Sequence, residues 1–269
     1  MFKISAIADE ISPKLADQLD LLSSENIDYI ELRSVNDKNM LDQDADELRQ
    51  IKKQLDEKNI KVSAISSPIG KIKITDDFEP HIERFRHALE VAGAFNTKYI
   101  RIFSYYIPDG EKFEKYTNDV ICRMKEKTKL AEKAGIILGL ENENVYGDTP
   151  ERCIELVKAV NSPNLKIIFD PGNITYFLGT KAYPDAYNVL ADFTAYLHIK
   201  DGKYDKSFVL PGKGDSGIKE ILTDLQKRNF DGFLSLEPHL VSGNSTGGFT
   251  GPDNFRSAIK ELKNLIKTI

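Results

Sequence analysis

The chain has 269 residues, 41% of them hydrophobic and 29% charged, a length that one α/β barrel holds in a single domain. A balance of 37 basic against 42 acidic residues gives a net charge of −5 and argues against a nucleic-acid partner, since such domains usually carry a basic excess. Two cysteines, Cys122 and Cys153, are too few for a disulfide framework or a cysteine-built zinc site. With no signal-peptide pattern and no 18-residue apolar run, a cytoplasmic chain with no membrane partner is expected.

Eight short apolar runs follow one another along the chain: Phe2–Ala8, Tyr29–Leu32, Ile60–Ile65, Tyr99–Phe103, Ile136–Leu140, Leu165–Phe169, Ala195–Ile199 and Phe233–Leu236. Their length and their branched and aromatic content suit buried strands. Between them the spacing turns helical, with Leu15, Leu19 and Leu22 after the first run and Leu48, Ile51 and Leu55 after the second. The third intervening segment carries His81 and His87, expected on the solvent face of a helix; the fourth, Val120–Ala134, is long and rich in Lys and Glu. Gly135 and Asn164 stand as stop signals before the fifth and sixth strands. Ser242–Gly251 is the one stretch that reads as a mobile loop. Eight strand-then-helix units without a linker predict an α/β fold, a single (β/α)8 TIM barrel over residues 1–269. An open doubly wound sheet would carry a Gly-rich first turn, whereas the first strand here ends in Ala8-Asp9-Glu10.

In such a barrel the chemistry sits at the carboxyl ends of the strands. The second run ends near Glu31, the fourth contains Arg101, the fifth leads into Glu141 and the sixth into Asp170. The seventh carries His198 followed by Lys200 and Asp201, and the eighth leads into Glu237. Each has an ordinary reading alone: Asp170-Pro171-Gly172-Asn173 as a capped turn, Glu141 as a solvated strand end, His198 as a core histidine, Glu237-Pro238 as a turn. Together, three carboxylates and one imidazole at one end of consecutive buried strands predict a divalent-metal site, because unpaired buried charge is costly. Oxygen ligands plus one nitrogen suit Mn²⁺, Zn²⁺, Co²⁺ or Mg²⁺. Arg101 either clamps a substrate oxygen or pairs with Glu31 or Glu141. Lys200 and Asp201 are expected as substrate contacts or a solvated loop start, and Glu143 and His239 as partners that orient the ligands two residues before them. Pro211-Gly212-Lys213-Gly214-Asp215 is read as a plain turn, with an anion-binding role as the alternative.

Glu141-Asn142-Glu143, Asp170-Pro171-Gly172-Asn173, His198-Ile199-Lys200-Asp201 and Ser235-Leu236-Glu237-Pro238-His239 resemble signatures of the xylose-isomerase-like barrel superfamily. More narrowly they resemble its sugar phosphate isomerase/epimerase group, as do Ser66-Ser67-Pro68-Ile69-Gly70-Lys71 and Ile100-Arg101-Ile102-Phe103-Ser104. The resemblance implies one divalent metal held by Glu141, Asp170, His198 and Glu237, with Glu141 and Glu237 doubling as acid and base. It implies a sugar or sugar phosphate as the small-molecule partner, with Arg101, Glu143, Asn173, Lys200 and Asp201 as candidate substrate contacts. Epimerisation, isomerisation and an inosose-type dehydration all fit these ligands, and a non-catalytic sugar-binding barrel and a homo-oligomer both stay open. Two positions depart from ketose 3-epimerases of the superfamily: Asn173 stands where they carry histidine, and Tyr204-Asp205-Lys206 where they carry arginine. The histidine-rich three-metal cluster of the DNA-repair relative endonuclease IV is excluded by the histidine count.

Overall fold

The computed structural model describes residues 2–241 and 248–269. In it the eight apolar runs become β1 (Lys3–Ala6), β2 (Tyr29–Leu32), β3 (Lys61–Ser66), β4 (Tyr99–Ile102), β5 (Ile137–Glu141), β6 (Leu165–Phe169), β7 (Thr194–Ile199) and β8 (Phe233–Leu236). The order round the sheet is β1-β8-β7-β6-β5-β4-β3-β2, and a parallel bridge between Ile7 and Glu31 joins the first strand to the second. Parallel pairing forces each connection to cross over the sheet. The crossovers use α1 (Leu15–Ser24), α2 (Ala45–Glu57), α3 (Phe78–Ala94), α4 (Thr117–Ala134), α5 (Pro150–Val160) and α6 (Ile218–Lys227), and α7 (Pro252–Thr268) follows β8. The TIM barrel expected from the spacing is the architecture found.

Local sequence explains the helix ends. Asp44 and Glu47 form a reciprocal capping box at the start of α2. Thr149 caps α5 with Pro150 in its first turn, and α4 stops at Gly135 in the left-handed conformation, φ 68°. Leu15, Leu19 and Leu22 of α1 and Ile51 and Leu55 of α2 are buried as their spacing requires. The crossover from β6 to β7 is instead a chain of short helical turns between Pro171 and Phe193. Gly179 at φ 64° ends one of them, and Pro184, without an N–H, interrupts the next.

His81 corrects an expectation. It lies on α3 as predicted but is buried, and its Nε2 accepts the backbone N–H of Gly70 at 3.1 Å. Burial, helped by the charges of Lys127 and Arg123, lowers its pKa to about 3, so it is a neutral acceptor. Residues 242–247 of the expected loop lie outside the described residues. The end of that stretch is fixed, because Thr250 and Gly251 both donate their N–H to the Glu10 carbonyl, at 3.0 and 2.8 Å. At the amino end of the barrel Tyr29 and Tyr99 pack against Phe233, at 5.0 and 6.3 Å between ring centroids. Among the described residues no helix is long and apolar enough to cross a membrane.

Candidate active site and metal centre

Each strand delivers its polar residue at the carboxyl end, so the side chains converge although the chain separates them. Glu141 closes β5, Asp170 follows β6, His198 sits next to last on β7 and Glu237 follows β8. All four are buried, and one ligand atom from each lies within 4.8 Å of the others. His198 Nδ1 faces Glu141 Oε1 at 3.0 Å and Glu237 Oε2 at 3.2 Å. Its Nε2 lies 3.2 Å from Glu31 Oε1, which also accepts from the Tyr196 hydroxyl. Glu31 therefore orients the ring and leaves Nδ1 toward the cluster, the arrangement that outer carboxylates give to metal-ligating histidines.

The ordinary and the functional readings of Asp170 both hold. Its Oδ1 accepts the Asn173 N–H at 2.9 Å as a helix cap, while Oδ2 lies 2.8 Å from Lys200 Nζ. Asn142 clamps the Asp170 backbone from both sides, Nδ2 donating to its carbonyl and Oδ1 accepting its N–H. A Cβ on Gly172 would come within 2.9 Å of Lys200 backbone atoms, so a glycine is what lets this turn press against the end of β7. Asn173 donates to the Asn142 carbonyl at 2.9 Å and reaches Glu141 Oε1 at 3.4 Å.

Electrostatics explain how four such groups share one buried volume. Burial disfavours the charged form of each carboxylate. For Glu141 this is outweighed by His198 and Arg101, and its pKa is held down at about 2. For Asp170, burial together with repulsion from Glu141 and Glu237 outweighs Lys200, and its pKa rises to about 6. Burial opposes the charge on His198, yet Glu141, Glu31 and Glu237 push its pKa well up. Burial likewise works against the Glu237 charge, and Lys200 foremost holds its pKa well down. Among the described residues, Glu141 Oε2 and Asp170 Oδ2 are met only by the cations Arg101, at 3.2 Å, and Lys200, at 2.8 Å. Three buried carboxylates and one imidazole whose donor atoms converge within 4.8 Å, held apart only by cationic side chains, are a donor set that fits a divalent cation.

A cavity of about 130 Å³ opens beside the cluster. Of the expected substrate contacts, Arg101, Glu143, Asn173 and Lys200 line it. Arg101 Nη1 lies 3.2 Å from Glu141 Oε2, the pairing that stood as one of its two readings. Glu143 is matched by Lys71 at 2.9 Å. Asp201 is the exception and corrects the expectation of a substrate contact. Its Oδ2 accepts from Gly212 and Gly214, at 2.8 and 3.0 Å, and its Oδ1 from Ser216. The same bonds take up the N–H groups that an anion at Pro211–Asp215 would need, so that segment is a turn anchored by Asp201.

Sequence reasoning gave no role to Arg33, which follows β2 and lines the cavity. Its Nε meets Asp9 at 2.9 Å, its Nη1 meets Glu237 at 3.1 Å, and its Nη2 donates to the Gly248 carbonyl at 3.2 Å. The available signal was positional: a charged residue directly after an apolar strand, the same cue that selected Asp170 and Glu237. His239 also lines the cavity; its Nδ1 faces Glu10 Oε1 at 2.7 Å and its Nε2 accepts from the Gly248 N–H at 3.0 Å. It thus grips the described end of the loop after β8 while its ring lies within 4.8 Å of the Glu237 carboxylate.

A model of the family described as xylose isomerase-like TIM barrel matches residues 19–265. An uncharacterized protein of Methanocaldococcus jannaschii is 28% identical over 165 residues, 58% of this chain and 56% of that protein. D-psicose 3-epimerase of Enterocloster bolteae is 28% identical over 131 residues, 47% of this chain and 42% of the epimerase. The chain thus spans about half the length of these relatives. Among solved structures, the probable 3-DHS dehydratase AsbF from Bacillus anthracis, involved in petrobactin synthesis, superposes with a TM-score of 0.75 at 22% identity, covering 98% of each chain. That last likeness is one of fold.

Proposed function

The chain belongs to the xylose isomerase-like TIM barrel family, and from that premise we propose that it is a divalent-metal-dependent isomerase or epimerase of a sugar or sugar phosphate. The observation that carries this reading is the buried convergence of Glu141, Asp170, His198 and Glu237 beside a small polar cavity. Those four residues would hold the ion, which when bound supplies Lewis-acid polarisation of the substrate's oxygens. D-psicose 3-epimerase among the relatives supports the substrate class.

The remaining chemistry falls to the protein. Glu141 and Glu237 enter from β5 and β8, and a substrate carbon lying between them presents a different face to each. One carboxylate removes the proton next to the carbonyl and the other returns one, which inverts the centre; return by the same residue at the adjacent carbon gives isomerisation. Asn173 and Arg101 orient Glu141, while Arg33 and Lys200 orient Glu237. Arg101 also lines the cavity, where its guanidinium can bind a substrate oxygen. A second reading, dehydration, draws support from Lys200, whose Nζ lies 3.0 Å from Glu237 Oε2 and can pass a proton to a departing hydroxyl. The fold likeness to the 3-DHS dehydratase is in keeping with it.

The test is incubation in D2O with added Mn²⁺ or Co²⁺ and a panel of ketoses, ketose phosphates and inososes. Deuterium beside the carbonyl of a recovered diastereomer marks epimerisation, and a labelled aldose marks isomerisation. An unsaturated or diketo product marks the second reading. No exchange and no product across the panel, with saturable sugar binding, would reassign the barrel as a binding protein.

A further inference from the structure

A second cavity, of about 440 Å³, lies at the opposite end of the barrel from the catalytic cluster. Four of its lining residues are strand starts: Tyr29 of β2, Lys61 of β3, Tyr99 of β4 and Phe233 of β8. It is more than three times the volume of the cavity beside Glu141 and falls within the roughly 300–1,000 Å³ of small-molecule sites. Its floor is aromatic. Tyr29 and Tyr99 meet Phe233 edge-on, with interplanar angles of 63° and 88°, and the three rings are only half-buried. Beneath them the fully buried Tyr196 stacks edge-on against Tyr99 at 5.5 Å, so the floor is braced by the barrel interior and does not collapse into it.

The rim is basic. Lys52, Lys61 and Lys98 border the opening; of the carboxylates nearby, Asp56 is 3.4 Å from Lys52 and Asp231 is 2.9 Å from Lys3. Among the described residues no ion pair engages Lys61 or Lys98, and both side chains are exposed. With Asp56 and Asp231 so paired, Lys61 and Lys98 are the ammonium groups left at the rim. Aromatic edges and faces favour a planar ring, and the two free ammonium groups favour a carboxylate at its edge.

We infer that this cavity binds a small aromatic carboxylate, with the ring on Tyr29, Tyr99 and Phe233 and the carboxylate at Lys61 and Lys98. Such a ligand has no direct contact with the catalytic cluster, since the two cavities have no lining residue in common. The inference therefore stands apart from the reaction assigned to the other end.

The experiment is a calorimetric titration of the metal-loaded protein with 2-naphthoate. One saturable site per chain is expected, weakened about tenfold or more by the double variant Lys61→Glu/Lys98→Glu. Both positions are exposed, and circular dichroism checks that the variant is folded. The neutral 2-naphthylmethanol, of nearly the same shape, is expected to bind about tenfold more weakly than the acid. Glu141→Gln is expected to leave the titration unchanged. Absence of saturable binding at millimolar naphthoate overturns the inference. So does equal binding of the alcohol, retention of full affinity in the folded double variant, or loss of binding in Glu141→Gln, which would move the ligand to the catalytic cavity.

Discussion

Arg33 and Glu237 stand 204 positions apart in the chain and meet at 3.1 Å, Nη1 to Oε1. The same guanidinium binds Asp9 at 2.9 Å, and the other oxygen of Glu237 is 3.0 Å from Lys200. Glu237 is thereby fixed through both oxygens by two cations, one from the end of β2 and one from the end of β7. Burial works against the charge on Arg33, but Asp9 and Glu237 raise its pKa further, so it stays charged at any working pH.

Replacing Arg33 by Met would strand the buried Asp9 and take from Glu237 one of its cations. A stability loss of roughly 3–5 kcal/mol is expected, the range for breaking one side of a buried ion pair, together with lower turnover from a loosened Glu237. Arg33→Lys restores a charge without the planar fork and should recover part of the stability but little of the turnover. Urea midpoints and kcat measure the two effects. A Met variant with parental values for both would show that Arg33 positions nothing.

The metal prediction is stoichiometric. Protein never exposed to chelator and then offered Mn²⁺ or Zn²⁺ should retain about one ion per chain after desalting, and Asp170→Ala or His198→Ala should lose it. Elemental analysis reads the result. Background metal in the parent would mean that the cluster is a structural ion-pair network.

For the two glutamates, Glu141→Gln and Glu237→Gln preserve shape and remove the proton acceptor. Each should lower turnover by roughly 10² or more while thermal unfolding still reports a cooperative fold. Solvent deuterium uptake can separate them, because a variant lacking only the proton donor should still exchange. Near-parental turnover in either variant would rule out the two-carboxylate mechanism.

A pH effect on stability is expected from α4. Lys127 is fully buried, its Nζ has no hydrogen-bond partner among the described residues, and it lies 4.5 Å from the centre of the Tyr105 ring. Burial first, and the Arg123 charge second, lower its pKa to about 7. Between that value and the unfolded lysine's value of about 10.4, the unfolded chain binds a proton that the folded chain does not, so this residue's contribution rises with pH. Lys127→Met removes the effect. Its stability advantage over the parent should be greatest below pH 7 and shrink by roughly 1.4 kcal/mol per unit toward pH 10. A gap that stays constant across that range would show that Lys127 does not change protonation on folding.

Much of the architecture was legible because a parallel barrel writes itself locally. Strands buried on both faces read as near-continuous apolar runs such as Ile136–Leu140, and the polar residue that ends each marks the functional end. That rule placed Glu141, Asp170, His198 and Glu237 before any contact was known. It also brought Arg101 and Lys200 to the cavity without saying which carboxylate each would meet.

Partner choice was not local, and there the tertiary structure decided. Asp201 directly follows Lys200, yet the fold gives its carboxylate to the N–H groups of Gly212, Gly214 and Ser216. His81 has the spacing of a surface residue, but the loop carrying Gly70 closes over it. Arg33 acquires its role from Asp9, Glu237 and Gly248, on segments that only the closed sheet brings together. The sequence by itself determined the periodicity of the barrel and the residue types at the strand ends, since both depend on burial along one strand. Which charges neutralise one another depends on distances across the barrel, and those exist only once the eight strands have closed.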